Sequence, residues 1–237
     1  MEIRELKKED ENLPNVDEYV FNVDAADATI INHIQILRAE LAKKANAGKV
    51  IKCGDIEGLN FDIHLYQPLF HLKKQGEIVI QPVSLKDSEF QFVTDICEFA
   101  TAHKQEFVSR GQELFLLRNQ SRGKGVGFAE ASNFHPDFIL WVVEGAKQYI
   151  IFVEPHGLVH ENADSDKIKF AKRIKQIEAR LGDPNVILNS FVLSPTPFRN
   201  ILWMPNPLGN WLEENHVLFL EETGPVYLPK LFAAIRS

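Results

Sequence analysis

The sequence predicts an α/β fold with a mixed sheet, and three observations carry that expectation. The run "YIIFV" (149–153) is apolar on both faces, the mark of a central strand covered on each side. Ile168, Ala171, Ile174, Ile177 and Leu181 then recur at helical spacing. "NVILNSFVLSP" follows as another buried strand, and a strand, a helix and a returning strand imply a parallel, right-handed crossover.

Each element can be justified in chain order. Ile30, Ile34, Leu37 and Leu41 predict a helix within Asp27–Asn46, with Gly48 as its stop. From Val50 to Leu85 the pattern turns strand-like, with "FDIHLYQPLFHL" and "GEIVIQPVSL" separated by the turn-prone "KKQG". Residues 1–80 are therefore expected to form a flanking helix plus strands. Ser88 and Gln91 have the spacing of a capping box, and Val93, Ile96 and Ala100 form a buried stripe. Glu89 lies on that stripe one turn before Val93, where a lone carboxylate is costly to bury. "ELFLLRN", "FHPDFILWVV" and "QYIIFVEPHG" are three strands rich in β-branched and aromatic residues. Ser165 is expected to cap the following helix, which stops at Gly182-Asp183-Pro184. Residues 81–200 thus form the expected core. Residues 201–237 add a proline-rich stretch, a strand "HVLFL" and a short terminal helix packed on that core.

Composition bounds the function classes. The chain has 237 residues, 45% hydrophobic and 25% charged, ordinary for a soluble globular protein. No apolar run reaches the roughly 20 residues of a membrane-spanning helix, so no membrane partner is expected. A start charged from its second residue is not expected to be a secretory signal. Cys53 and Cys97 lie in apolar surroundings and suit packing in a reducing cytoplasm. The net charge of −7 excludes an all-round nucleic-acid-binding coat but allows a local basic surface.

The chemistry is expected at strand ends. Asp137 opens "DFILWVV" after Pro136, while Glu154 and His156 end "YIIFV", two apart and so on one face. A hairpin across "EGAKQ" would bring Asp137 near Glu154, and two adjacent carboxylates need a proton or a cation between them. Hard oxygen ligands suit Mg²⁺ or Mn²⁺. The bland alternative is that Asp137 is a turn residue after proline and Glu154-Pro155 merely ends a strand. His135, His156 and His160 are a rival zinc set, unaccompanied by a His-Glu-x-x-His or Cys-x-x-Cys spacing. "NAGK" (46–49) lacks the rest of a P-loop, so no ATPase motor is expected here. Arg118, Arg122 and Lys124, in or beside a glycine-bearing loop, are candidates for holding a phosphate backbone. The basic helix from Lys167 to Lys175 reads first as a solvated face.

The stretch "LLRNQSRGKGVGFAEASNFHPDFILWVVEGAKQYIIFVEPHGL" resembles the nuclease domain at the C-terminal end of type III restriction enzyme subunits and related DEAD/DEAH-type helicases. The similarity is densest from Arg118 to Gly157; with "HLYQPLF" and "PVSLKDSEFQFVTDI" it spans roughly residues 60–195. Those proteins belong to the PD-(D/E)XK superfamily. The resemblance implies a restriction-endonuclease-like core of helix, three strands, helix and strand, and a metal-dependent DNA endonuclease of a restriction or antiviral-defence system. It implies Asp137 and Glu154 as metal ligands, the Pro155 carbonyl as a further ligand, and Glu89 as the helix glutamate, with Glu98 its competitor. His156 stands where the family has lysine, with Lys124 and Lys147 as candidates for the missing charge. The partners implied are DNA and a helicase motor or modification subunit on another chain or segment; a homo-oligomer is allowed. Two alternatives remain: a catalytically silent nuclease-fold module for DNA binding or assembly, and a purely structural subunit.

Overall fold

The computed structural model describes residues 19–63, 69–74, 76–119, 126–128, 134–204, 208, 210–220 and 226–235. These gather into two units, one ending at Thr101 and the other running on from Ala102. The protein is α/β, and among the described residues it has six α-helices and both antiparallel and mixed sheets.

In the first unit, β1 (Val20–Asn22) pairs antiparallel with β5 (Val79–Gln81). Between them come α1 (Ala28–Leu41), β2 (Val50–Cys53), β3 (Ile56–Leu59) and β4 (Leu69–Leu72), with β2-β3-β4 an antiparallel sheet. The Asp27 side chain caps α1, accepting from the Ile30 amide at 3.0 Å. Leu37 and Leu41 then pack with Ile56, Phe70, Leu72, Ile78 and Ile80. Gly58 permits that approach, since a Cβ there would lie 2.9 Å from the Leu41 side chain and 3.2 Å from Phe70. The strand expected over "FDIHLY" is not found at Phe61–Ile63, and the rest of that run lies outside the described residues. The strand sits earlier because the chain turns at Gly54-Asp55 and pairs β2 with β3.

α2 (Asp87–Ala102) closes this unit. Its start corrects the expected cap: the Phe90 amide bonds the Lys86 carbonyl at 2.8 Å, so the helix begins one residue before Ser88. Glu89 is the third helical residue and accepts the Lys86 backbone amide at 3.3 Å, the returning half of a capping box. Phe92, Val93, Ile96 and Cys97 are buried, while Ala100 is only half-buried. A buried glutamate, Glu57, ties the unit together: His71 Nδ1 lies 2.8 Å from it, Lys52 3.0 Å and Lys73 3.5 Å. His71 Nε2 meets Asp87 at 2.8 Å, fastening the start of α2 to β4. Burial would raise the Glu57 pKa, but Lys52 and His71 outweigh it and hold it below the ordinary carboxyl value.

The second unit holds α3 (Lys104–Ser109), β6 (Gln112–Arg118), β7 (Phe138–Glu144), β8 (Lys147–Pro155), α4 (Asp166–Leu181), β9 (Val186–Ser194), α5 (Trp211–Glu214), β10 (Val217–Phe219) and α6 (Tyr227–Ala234). Its sheet runs β10-β9-β8-β7-β6, so β8 is central, as its two-sided apolar run requires. β6, β7 and β8 are antiparallel neighbours, whereas β8, β9 and β10 are parallel. Ile174 and Phe170 of α4 pack with Ile139, Phe152, Val186 and Leu188, and Ile168 packs with Val192 and Val217. Phe170, absent from the expected stripe, is fully buried, its ring 4.6 Å from Phe128 and 4.9 Å from Phe134. Gly182 ends α4 at φ 66°, donating to the Glu178 carbonyl at 3.2 Å. Ser165 precedes α4 but makes no side-chain cap. No helix among the described residues is long and apolar enough to cross a membrane.

Two outcomes follow for stability. Phe170→Ala leaves a cavity in the α4 contact and lowers unfolding free energy by about 3–5 kcal/mol, measurable by urea denaturation. His216 stacks on Phe191 with ring centroids 4.6 Å apart and donates Nδ1–H to the Ser190 carbonyl at 3.0 Å. Burial pushes its pKa below 6.5, against the raising effect of that hydrogen bond. The unfolded chain then binds more protons, so its contribution is fully present above pH 6.5 and declines as pH falls. His216→Asn, which tolerates the φ of 49° there, flattens that slope in melts between pH 5 and 8.

Candidate functional site

Three neighbouring strands stop together and place polar residues in a row. The β7–β8 register pairs Phe138 with Val153, so Asp137 stands opposite Glu154. The Asp137 backbone amide donates to Glu154 Oε2 at 3.2 Å. On the other side of β7, the Asn119 amide donates to the Asp137 carbonyl at 2.8 Å. The Asn119 side chain does more: its amide nitrogen reaches the carbonyls of Val126 and Pro136, both at 2.8 Å, and its oxygen accepts the Val126 amide at 2.9 Å. It therefore closes the base of the β6–β7 loop immediately before Asp137.

Glu154 is buried, with 5% of its surface exposed. Its second oxygen is held by an ammonium: Lys167 Nζ lies 2.6 Å from Glu154 Oε1. The same nitrogen lies 2.9 Å from His156 Nδ1, so Glu154 and His156 point the same way, as their spacing along β8 predicts. His156 Nε2 lies 2.8 Å from Glu161 Oε1. An ammonium has no acceptor, so Nδ1 accepts and Nε2–H donates to Glu161. Burial would raise the Glu161 pKa; the Ser165 hydroxyl, His156 and Lys167 outweigh it and hold it below the ordinary carboxyl value.

Lys167 and Glu161 are what the sequence expectation missed. Lys147, a candidate for the missing charge, sits at the hairpin end of β8 opposite Glu144. Seven residues separate it from Glu154, roughly 23 Å of strand, so it cannot serve. Lys124, the other candidate, lies outside the described residues, as does Arg122. The charge pattern alone places Lys167 on a solvated face. A usable signal existed, because a crossover helix starts at the end of the sheet where its strand stops, so the first turn of α4 returns to Glu154.

The other candidates fall as follows. Arg118 is the last residue of β6, opposite Phe138 and half-buried. Glu89 lies in the first unit, 3% exposed and 3.3 Å from Lys86 Nζ; Glu98 is exposed. The zinc set does not assemble: among the described residues no group of three His, Cys, Asp or Glu side chains could hold a metal ion. Cys97 gives its Sγ–H to the Gly48 carbonyl at 3.4 Å, and burial pushes its thiol up to about 11, an inert packing residue.

A magnesium ion takes hard oxygens, commonly one or two protein carboxylates with water and substrate phosphate completing the shell. Asp137, Glu154 and the Pro155 carbonyl are donors of that kind. Each Glu154 oxygen has one lone-pair direction beyond the bonds above. The donors match magnesium in chemical type alone: among the described residues they belong to no group of three such side chains, and Glu154 Oε1 is already held by Lys167.

Compared with models of known protein families, with curated proteins and with solved structures, the chain shows no significant match.

The Glu161 contribution gives a pH signature. Its folded pKa lies below the ordinary 4.5, so its stabilising effect is fully present above pH 4.5 and disappears as pH falls through the folded value. Glu161→Gln flattens the acid limb of the stability profile between pH 3 and 5, read by thermal melts. An unchanged acid limb would show that the His156 and Ser165 contacts do not hold Glu161.

Proposed function

We propose that the protein is a metal-dependent DNA endonuclease of a restriction or antiviral-defence kind, with Asp137 and Glu154 as its acidic pair. The single observation that carries this reading is the meeting of Asp137 and Glu154 on adjacent strand ends, with a lysine ammonium at the buried carboxylate. The order β6, β7, β8, α4, β9 within the second unit supports it, being the three strands, helix and strand that the resemblance to PD-(D/E)XK nucleases implies, as do the motifs "RNQSRGKGVGF", "NFHPDFILW" and "FVEPHG".

Asp137, Glu154 and the Pro155 carbonyl would hold Mg²⁺ or Mn²⁺, which when bound polarises a phosphoryl oxygen and acidifies water. The chain's own residues do the rest. Glu154 is aimed by the Asp137 amide and by Lys167, so it needs no reorganisation as charge develops. Arg118 would position the backbone, with Arg122 and Lys124, which lie outside the described residues, as further candidates from the resemblance. In the reaction a water oxygen bonds to phosphorus and one ester P–O bond breaks. A phosphate monoester and an alcohol are left, the water's protons going to the alcohol and to solvent. A motor or modification subunit would be supplied by another chain or segment.

One observation favours a second reading, a silent nuclease-fold module for DNA binding or assembly: Glu154 already has a cation, so its burial is compensated without metal.

Plasmid DNA incubated with Mg²⁺ or Mn²⁺ decides between them. The native protein is expected to nick or linearise the plasmid, and Asp137→Ala to reduce cleavage to background with an unchanged melting temperature. Equal cleavage by both removes the assignment, and salt-dependent DNA binding without any cleavage supports the silent module.

A further inference from the structure

The strand position after Pro155 is occupied by a histidine, yet a primary ammonium stands at the same carboxylate, brought by a different element. Of its three N–H donors, Lys167 gives one to Glu154 Oε1 at 2.6 Å and one to His156 Nδ1 at 2.9 Å. The third has no partner among the described residues. The Lys167 side chain is 28% exposed against 7% for Glu154, so that third donor is open to an incoming group while the carboxylate behind it stays dry.

We propose, on the basis of the nuclease reading above, that Lys167 is the catalytic cation of this site and that His156, fixed by Glu161, is its positioning residue. A lysine carries four flexible methylenes, and its charge is useful in a transition state only if it is already in place. His156 supplies that restraint. Glu161 accepts Nε2–H and thereby fixes the tautomer, leaving Nδ1 as an acceptor aimed at the ammonium. The third N–H of Lys167 then meets a non-bridging phosphate oxygen, where negative charge grows as the water oxygen attacks and the ester bond breaks. His156 is therefore not a substitute for a strand lysine; it is the holder of a helix lysine.

Steady-state cleavage of a plasmid in Mn²⁺, well below each variant's melting temperature, tests this. Lys167→Met is expected to lower kcat by about 100-fold or more, as removal of one charge stabiliser does, with KM for DNA nearly unchanged. His156→Leu is expected to lower kcat by about tenfold, and to cause no further loss in the Lys167→Met background, because it acts through Lys167. A native kcat in Lys167→Met, or losses that multiply in the double variant, overturns the proposal. Should Lys167→Met not fold, Lys167→Arg decides in its place. It keeps a cation on Glu154 but not the compact three-donor head, so kcat falls with an unchanged melting temperature, and an undiminished kcat overturns the proposal. The imidazole ¹⁵N signals provide a readout independent of cleavage: a protonated Nε2 and a bare Nδ1 are expected, and a proton on Nδ1 overturns the positioning role. If the native protein cuts no DNA with either metal, the nuclease reading fails and this proposal with it. If the native protein cuts and Lys167→Met cuts equally well, this proposal alone fails.

Discussion

A carboxylate at the dry end of a central strand must be compensated, and much of the second unit can be understood as the means of compensating Glu154. An isolated ionised carboxylate in such a place costs several kcal/mol. The apolar run up to Val153 creates the low-dielectric surroundings, and the sheet register then delivers a backbone amide to one oxygen. The crossover to β9 delivers α4, and with it an ammonium, to the other. Neither partner can be lost without leaving half the charge unanswered. The first unit meets the same difficulty at Glu57, again with a histidine and lysines, but with a different outcome. His71 faces carboxylates with both ring nitrogens and links two elements, whereas His156 faces a carboxylate with one and an ammonium with the other. The first arrangement is a fastening and the second is an aiming device.

The basic residues of α4 are largely answered by neighbouring carboxylates. Along α4, the basic residues suggest a polyanion-binding face until their neighbours are counted. Lys169 lies 2.8 Å from Asp164, Arg173 2.9 Å from Asp166 and Lys175 3.1 Å from Glu178. Such exposed pairs contribute little to stability, yet they cancel much of the outward field. Lys167, in the first turn, is paired as well, 2.6 Å from Glu154, but there the carboxylate is buried and the pair is screened less by water.

Legibility in the sequence followed the length of each signal. β6 to β9 and α4 each span at least seven residues, enough for alternation or helical periodicity to register, and the meeting of Asp137 with Glu154 came from that pattern alone. β1, α3 and α5, with three, six and four residues, fall below any usable period. The start of α2 is not legible because Lys86 is an unusual residue to precede a helix, and the Phe90 amide on its carbonyl and the Glu89 side chain on its amide reveal it. Lys167 was missed for another reason. Periodicity places a side chain on a face, but the reach of a long lysine across the end of a sheet depends on tertiary contact. The matching of Glu89, Asp137, Glu154 and Pro155 to catalytic roles came from motif resemblance, which supplies no geometry.

The Asn119 knot has a consequence for how this architecture can diversify. One side chain bonds both Val126 and Pro136, so the connection is tied just before Asp137, while Phe128 and Phe134 anchor it against Phe170. Closure entropy rises only slowly with length, so a change of length there costs little at the knot itself, provided that Asn119, Val126, Phe128, Phe134 and Pro136 are kept.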